Sequence, residues 1–409
     1  MTIRHNKLYL GGISAETLVR KFGSPLYVYE ENALRAQYRK LARSITYPYT
    51  RIFYACKANT NPEIMKLFGH LGARATPKAS ARRAGIEAVS VGEVKIARRA
   101  GFPVKDIIFT CDNLTPEEIK YLIRHKIAVS ADSLGQLEKF GRLNPGGKIS
   151  LRVNQGIGAG MHSHIITGGR DSKFGIYKTQ LDEARRLAAR YRLRITGLMQ
   201  HIGSGVLDEK IYLRAMHALL TVAHKFPDLE FINLGGGIGI PYRPEHKPLD
   251  LKSTGAKISE EFRGFIKAYG RELKLYLEPG RFLVAESGIL LATVAEIKKT
   301  PAHTFVGLNT GMQHLIRPAI YGAYHEIVNA SRMRGPKKKV EVVGNICESS
   351  DFLARGREIT LPREGEILAT LNAGAYGYSM SSNYNSHPRP AEVMARAGRA
   401  RIIRKRERI

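Results

Sequence analysis

Eight short strand-like runs alternate with helical stretches between residues 51 and 280, and this alternation restricts the possible folds more than any other feature. The runs are 51–57, EAVSV at 87–91, DIIFT at 106–110, AVSA at 128–131, KISLRVN at 148–154, ITGLMQHI at 195–202, FINLGGG at 231–237 and KLYLEPG at 274–280. Helices fit the gaps at 62–71, 92–100, 133–140, 178–191, 208–226 and 257–270. Thr115-Pro116-Glu117-Glu118 is a capping box with proline at the first helical position, which opens a further helix to about His125. The pattern covers roughly 230 residues, matching the usual ~250 of a (β/α)8 TIM-type barrel. An open doubly wound sheet is the alternative. The barrel is favoured because Lys57, Ser90, Asn154, His201, glycines 235–237 and Glu278 recur at the carboxyl ends of the runs, where barrels build their sites.

Outside this region the texture changes. After Phe282, VAESGILLATVAEI, HTFVGL, KKKVEVVGNIC and GEILATL predict an all-β domain, a β-barrel or sandwich that also takes in the N-terminal segment. The expected boundaries are 1–30, 31–282 and 283–409, with helices at 14–22 and 31–43. One connection fits poorly: about fourteen residues separate Gly72 from the strand at Glu87, against the usual ~2–6. Its basic stretch ARATPKASARR, 73–83, reads as an exposed insertion.

A hydrophobic content of 43% and a charged content of 25% suit a soluble globular protein. No run is long and apolar enough for a membrane span, and MTIRHNKLYLGG lacks a signal peptide's apolar core, so no membrane is expected. Three cysteines are too few and too scattered for a disulfide framework or a zinc site, which predicts no metal and a cytoplasmic protein. The net charge of +29 favours anionic ligands and could hold nucleic acid loosely. Without a zinc-finger, RNA-recognition or basic-zipper signature, no specific nucleic-acid partner is expected, and the basic tail 396–408 reads as a solvated face.

Candidate chemistry begins at Lys57, just past an apolar strand end, where loss of water would favour the neutral, nucleophilic amine. A solvated lysine is the plainer reading. Gly235, Gly236 and Gly237 would let backbone amides face a phosphate, though glycine runs also simply make turns. Glu278-Pro279-Gly280-Arg281 puts a carboxylate beside the same cavity, where it could keep a pyridine nitrogen protonated or serve an ordinary ion pair. His201 could pack on a ring or be a satisfied core histidine, and Ser204 could donate to phosphate. Further on, Arg317 could bind a carboxylate, with Tyr321 nearby. Cys347, beside Glu348 and Asp351, could deliver a proton or be a small buried hydrophobe. Tyr376 lies in a Gly-, Ser- and Asn-rich loop.

In order along the chain, YACKAN, SVGE, LRVNQGIGAGMHSHIITGG, SKFGI, HIGSG, NLGGGIGIPY, EPGRF, IRPAIYGAYH, GNICESSDFLA and AYGYSMSSNYNSHPRPAEV resemble the motifs of the fold type III pyridoxal-phosphate-dependent decarboxylases. The likeness runs from about Leu8 to Glu407 and is nearest to the diaminopimelate decarboxylase family. It implies pyridoxal 5′-phosphate as cofactor, an amino-acid substrate, and a homodimer with shared active sites. By the same resemblance Lys57 would carry the cofactor, His201 would stack on its ring and Glu278 would pair with its nitrogen. Glycines 235–237 and Ser204 would hold the phosphate, with Pro279, Gly280, Arg281 and Tyr376 also near the cofactor. Arg281, Arg317 and Tyr321 would hold the distal carboxylate of the substrate, Glu348 its distal ammonium, and Tyr376 would touch the substrate. Cys347 would return a proton after CO2 leaves, in the neighbouring subunit's site. The CES triplet points to diaminopimelate, since the ornithine and arginine branches normally carry another residue after the cysteine.

Two positions depart from the family pattern: Glu87 and Asn309 each stand where aspartate is usual. Three other readings compete: a decarboxylase for ornithine, arginine or a carboxylated polyamine, a non-catalytic homologue, and a nucleic-acid binder.

Overall fold

The eight runs form eight parallel strands: β1 Thr50–Ala55, β2 Gly85–Ala88, β3 Ile107–Thr110, β4 Ala128–Ala131, β5 Lys148–Asn154, β6 Arg194–Met199, β7 Phe231–Asn233 and β8 Lys274–Leu277. The structure is a computed structural model that describes residues 1–72, 84–160 and 167–408. The basic stretch 73–83 and residues 161–166 of the long glycine-rich motif lie outside the described residues. Each strand pairs with the next, and β8 returns to β1 through Leu275–Thr50, Tyr276–Arg51 and Leu277–Ile52, closing the barrel. The doubly wound alternative is thereby excluded.

By contacts the chain divides into two compact units, Tyr38–Ile240 with Lys247–Arg281, and Met1–Gln37 with Pro241–His246 and Phe282–Ile409. In the first, the period of two along each strand sends Phe53, Gly85, Gly197, Phe231 and Tyr276 to the barrel axis in one layer. Tyr276 lies 4.8 Å from the Phe53 ring and 4.6 Å from the Phe231 ring, centre to centre. A methyl group at Gly85 would stand 2.3 Å from Phe53, and one at Gly197 2.1 Å from Phe231, so these glycines make room for the aromatic plug. Two residues further along the same phase come Ala55, Glu87, Met199, Asn233 and Glu278, so polar groups enter the layer above the plug.

One helix starts at the predicted capping box, and others at caps the sequence reading did not name. Pro116–Arg124 starts in the capping box of Thr115 and Glu118, and Ser90 caps Val91–Arg99 by accepting from the Glu93 amide. Leu251–Tyr269 begins six residues earlier than its apolar pattern predicted, because Asp250 caps it at the Lys252 and Ser253 amides. Gly255 lets this helix sit on the Ser44 carbonyl, 2.2 Å from where a methyl group would be.

The second unit is β-rich, as expected, and the N-terminal segment belongs to it. Leu26–Glu30 pairs antiparallel with Gly288–Lys299 and parallel with Ala391–Arg396. Its core gathers Leu8, Leu10, Leu18, Leu26, Val28, Ile289 and Val393. Phe352–Thr360 and the hairpin Ala391–Arg396 with Arg399–Arg404 were not foreseen. Their basic side chains mask the strand pattern. In the hairpin Arg404 pairs with the buried Glu392 at 2.5 Å, so the tail is partly a neutralised sheet edge rather than only a solvated face. Asn309 accepts from the Thr293 amide and the Ser24 hydroxyl, an acceptor role an amide fills as well as a carboxylate.

Candidate active site

Lys57 sits in the turn Cys56–Ala58 at the end of β1. The turn is built by its own sequence: Tyr54 donates to the Asn59 carbonyl, and Asn59 and Asn61 accept from the amides of Asn61 and Glu63. The lysine amine lies 3.0 Å from Glu87 Oε2, with the lysine side chain 34% exposed and the glutamate 1%. This corrects the expectation of a desolvated amine, since the group is held by a buried carboxylate instead. Glu87 is thus a member of the site. The sequence showed it only as a departure, although its place on the inward phase of β2 was a usable signal.

Glu278 directly follows β8 on the same phase, 4% exposed, and its Oε1 accepts from Asn233 Nδ2 at 2.7 Å. Burial, with the neighbouring Glu87, pushes its carboxyl up to about 8, against the pull of Lys57, Asn233 and Arg152. Asn233 also accepts from the Gly235 amide at 2.9 Å, so one amide fixes both the acid and the glycine turn. Pro279 accepts from the Ala55 amide, and Gly280 packs against Ala55 and Ala58, which ties the Glu278 turn to the Lys57 turn.

The glycines are required by space. A methyl group at Gly235 would stand 2.1 Å from the Gln200 carbonyl, one at Gly236 2.3 Å from the Glu278 carbonyl, and one at Gly237 2.8 Å from the Gly203 carbonyl. Gly235 and Gly237 also have φ of 69° and 103°. His201 Nδ1 accepts from the Gly236 amide at 3.4 Å, and burial, helped by Lys57 and Arg152, holds the imidazole well below its ordinary range and so neutral. Arg281 reaches the Ser204 hydroxyl oxygen with both Nε and Nη2 at 3.0 Å, joining a cation to the glycine loop. Two further polar anchors come from β5: the sequence reading placed Asn154 at that run's carboxyl end but passed over Arg152. Arg152 pairs with Asp132 at 2.9 Å, and Asn154 hydrogen-bonds to the backbone of Gly156, Gly169 and Phe174.

The second unit holds the remaining candidates. Arg317 and Tyr321 bracket one helical turn, Arg317–Tyr321, with Arg317 buried. Cys347 and Glu348 are exposed. The Cys347 amide donates to Asn385 Oδ1 at 3.1 Å, and Tyr384 donates to Glu348 Oε1 at 3.0 Å. Asp351, which the sequence offered as a second acid beside the thiol, accepts instead from the Met312 and Ile346 amides and is spent on shaping the loop. Tyr376 has φ of 58°, a conformation that costs a non-glycine residue energy and tends to occur at functional positions.

Comparison with known proteins gives this arrangement a family. Residues 31–285 match the family described as pyridoxal-dependent decarboxylase, pyridoxal binding domain. The diaminopimelate decarboxylase of Methanothermobacter thermautotrophicus is 40% identical over 98% of this chain and 93% of its own. This chain belongs to the diaminopimelate decarboxylase family. The Aquifex aeolicus diaminopimelate decarboxylase is 36% identical over 99% of this chain and 94% of the relative. The crystal structure of diaminopimelate decarboxylase from M. jannaschii in co-complex with L-lysine aligns at TM-score 0.90 and 32% identity, over 100% of this chain and 95% of that one.

As a member of this family the chain is a pyridoxal-phosphate-dependent carboxy-lyase. Its residues fit that cofactor. A primary amine, a glycine cradle without Cβ atoms beside an arginine–serine pair, a neutral imidazole and a buried carboxyl with a raised pKa meet the needs of an aldehyde, a phosphate, a flat ring and a basic ring nitrogen.

Proposed function

We propose that this chain decarboxylates meso-2,6-diaminopimelate at its D-configured centre, giving L-lysine and CO2 as the last step of lysine biosynthesis. What carries the reading is the pairing of an exposed thiol, Cys347, with an exposed carboxylate, Glu348, that Tyr384 holds in place. A proton donor next to an anion suits a substrate with a second ammonium group.

Lys57 would hold the cofactor covalently, Gly235–Gly237 with Ser204 and Arg281 its phosphate, His201 a ring face, Glu278 the ring nitrogen, and Tyr376 an edge. When bound, pyridoxal phosphate supplies the sink for the electron pair left as CO2 departs. Glu278 keeps a proton at the ring nitrogen, and a cation there would draw its raised pKa back down. His201 stays uncharged and so does not oppose that cation. Glu87 aims the Lys57 amine and balances its charge. Arg281, Arg317 and Tyr321 take the distal carboxylate and Glu348 the distal ammonium. Cys347 gives its proton to the carbon that lost CO2, and regains one from water.

Because Cys347 and Glu348 lie exposed on their own chain, we read them as serving a second copy, which makes the working unit a homodimer with shared sites. The catalytic segment is taken as 31–282, with 1–30 and 283–409 forming the β domain. A reducing cytoplasm suits the free thiols. Among the described residues no helix is long and apolar enough to cross a membrane. The test is direct: protein loaded with pyridoxal phosphate should release CO2 and L-lysine from meso-diaminopimelate. Release from ornithine or arginine alone would overturn the assignment.

A further inference from the structure

Arg317 is held by an uncommon partner. Its Nη1 lies 2.8 Å from His325 Nε2, with the arginine 6% exposed and the histidine 0%. Arginine offers only donors, so the nitrogen facing it must present its lone pair. The other ring nitrogen, Nδ1, is 2.9 Å from the Leu371 carbonyl oxygen, which accepts from it and fixes that tautomer. The left-handed turn at Gly322, φ 56°, ends the short helix and brings the chain back from Arg317 to His325. The guanidinium also lies 4.8 Å over the ring of Tyr242, which meets the His325 ring edge-on at 5.4 Å and 78°. Arg357 also donates to the His325 carbonyl at 2.9 Å.

We infer that His325 is a positioning residue that aims Arg317 at the carboxylate of the substrate's non-reacting end. This rests on the function proposed above. The choice of residue has a physical reason. An aspartate or glutamate in its place would orient the guanidinium but also neutralise it, and would compete with the substrate's carboxylate. A neutral imidazole with its tautomer locked orients the cation and leaves its charge in force. The ring of Tyr242 restrains the guanidinium plane from its face while His325 restrains it from its edge.

Three variants separate aiming from mere packing. His325→Asn keeps a donor for Leu371 and loses the acceptor for Arg317. His325→Gln places an amide oxygen near the lost Nε2, and His325→Leu removes both bonds. The Asn and Leu variants should raise the KM for meso-diaminopimelate about 10-fold or more with little change in kcat, the effect of losing a buried bond to a charged group. Gln should recover part of the loss. Two inhibitors sharpen the test. L-lysine keeps the distal carboxylate, and 1,5-diaminopentane lacks it. Inhibition by lysine should weaken about as much as KM rises, while diaminopentane and the visible absorbance of bound cofactor stay unchanged. Equal weakening of both inhibitors, or an unaltered KM in an active background, overturns the role of His325. Should the Leu variant fail to fold, the Asn variant decides alone. A wild-type protein that does not decarboxylate diaminopimelate, yet binds lysine more tightly than the Asn variant does, sinks the assigned reaction and leaves the role of His325 standing.

Discussion

Replacing Glu278 by glutamine tests whether the barrel's carboxyl end stores an acid for the ring nitrogen. The carboxyl goes from 4.5 to about 8 on folding, chiefly through burial. In the window between those values the folded protein without cofactor binds more protons than the unfolded chain, so its stability falls as pH rises. Each pH unit costs ~1.4 kcal/mol, on the order of 4 kcal/mol across the window for a group this buried. Glutamine keeps an oxygen for Asn233 and cannot ionise. The cofactor-free variant should therefore match wild type near pH 4 and become progressively more stable than wild type toward pH 8. Thermal midpoints at half-unit pH steps would show it. With pyridoxal phosphate bound the gap should narrow, since a cationic ring nitrogen favours the ionised acid, and turnover of the variant should drop ~100-fold or more, as when other preorganised electrostatic groups are removed. Melting curves of wild type and variant that run parallel with pH would refute the reasoning.

Other outcomes follow from the same geometry. Gly235→Ala combines a left-handed backbone with a methyl 2.1 Å from the Gln200 carbonyl, so a pyridoxal phosphate titration should show affinity reduced ~10-fold or more. Tyr384→Phe removes the hydroxyl that holds Glu348, and KM for meso-diaminopimelate should rise ~5-fold in steady-state assays while kcat holds, as expected for one exposed bond to a charge. Cys347→Ala should slow turnover with the cofactor absorbance intact. Mixing it with Lys57→Ala subunits should restore part of the activity, whereas no recovery after subunit exchange would mean that each chain completes its own site.

Periodicity and composition were enough to read the barrel. Alternating strands and helices, the Thr115–Glu118 box and polar or glycine residues at each run's carboxyl end are local facts, and local backbone physics acts on them directly. The same runs overshot at their ends. FINLGGG continues to 237 in apolar character, but β7 stops at Asn233, because the following glycines turn into positive φ around the site. In the β unit, Phe352–Thr360 was hidden by its arginines and glutamate.

What no reading of one segment could supply was who meets whom. Glu87 reaches Lys57 across thirty positions, Asn233 reaches Glu278 across forty-five, and Leu371 fixes a histidine forty-six positions earlier. Such pairs exist only once the barrel has closed or the sheet has stacked, since closure brings inward-facing side chains from distant strands to one axis. The sequence by itself therefore determined the architecture and most of the chemical groups. Tertiary structure decided the charge each group carries, because burial and neighbours, rather than residue type, set protonation and aim.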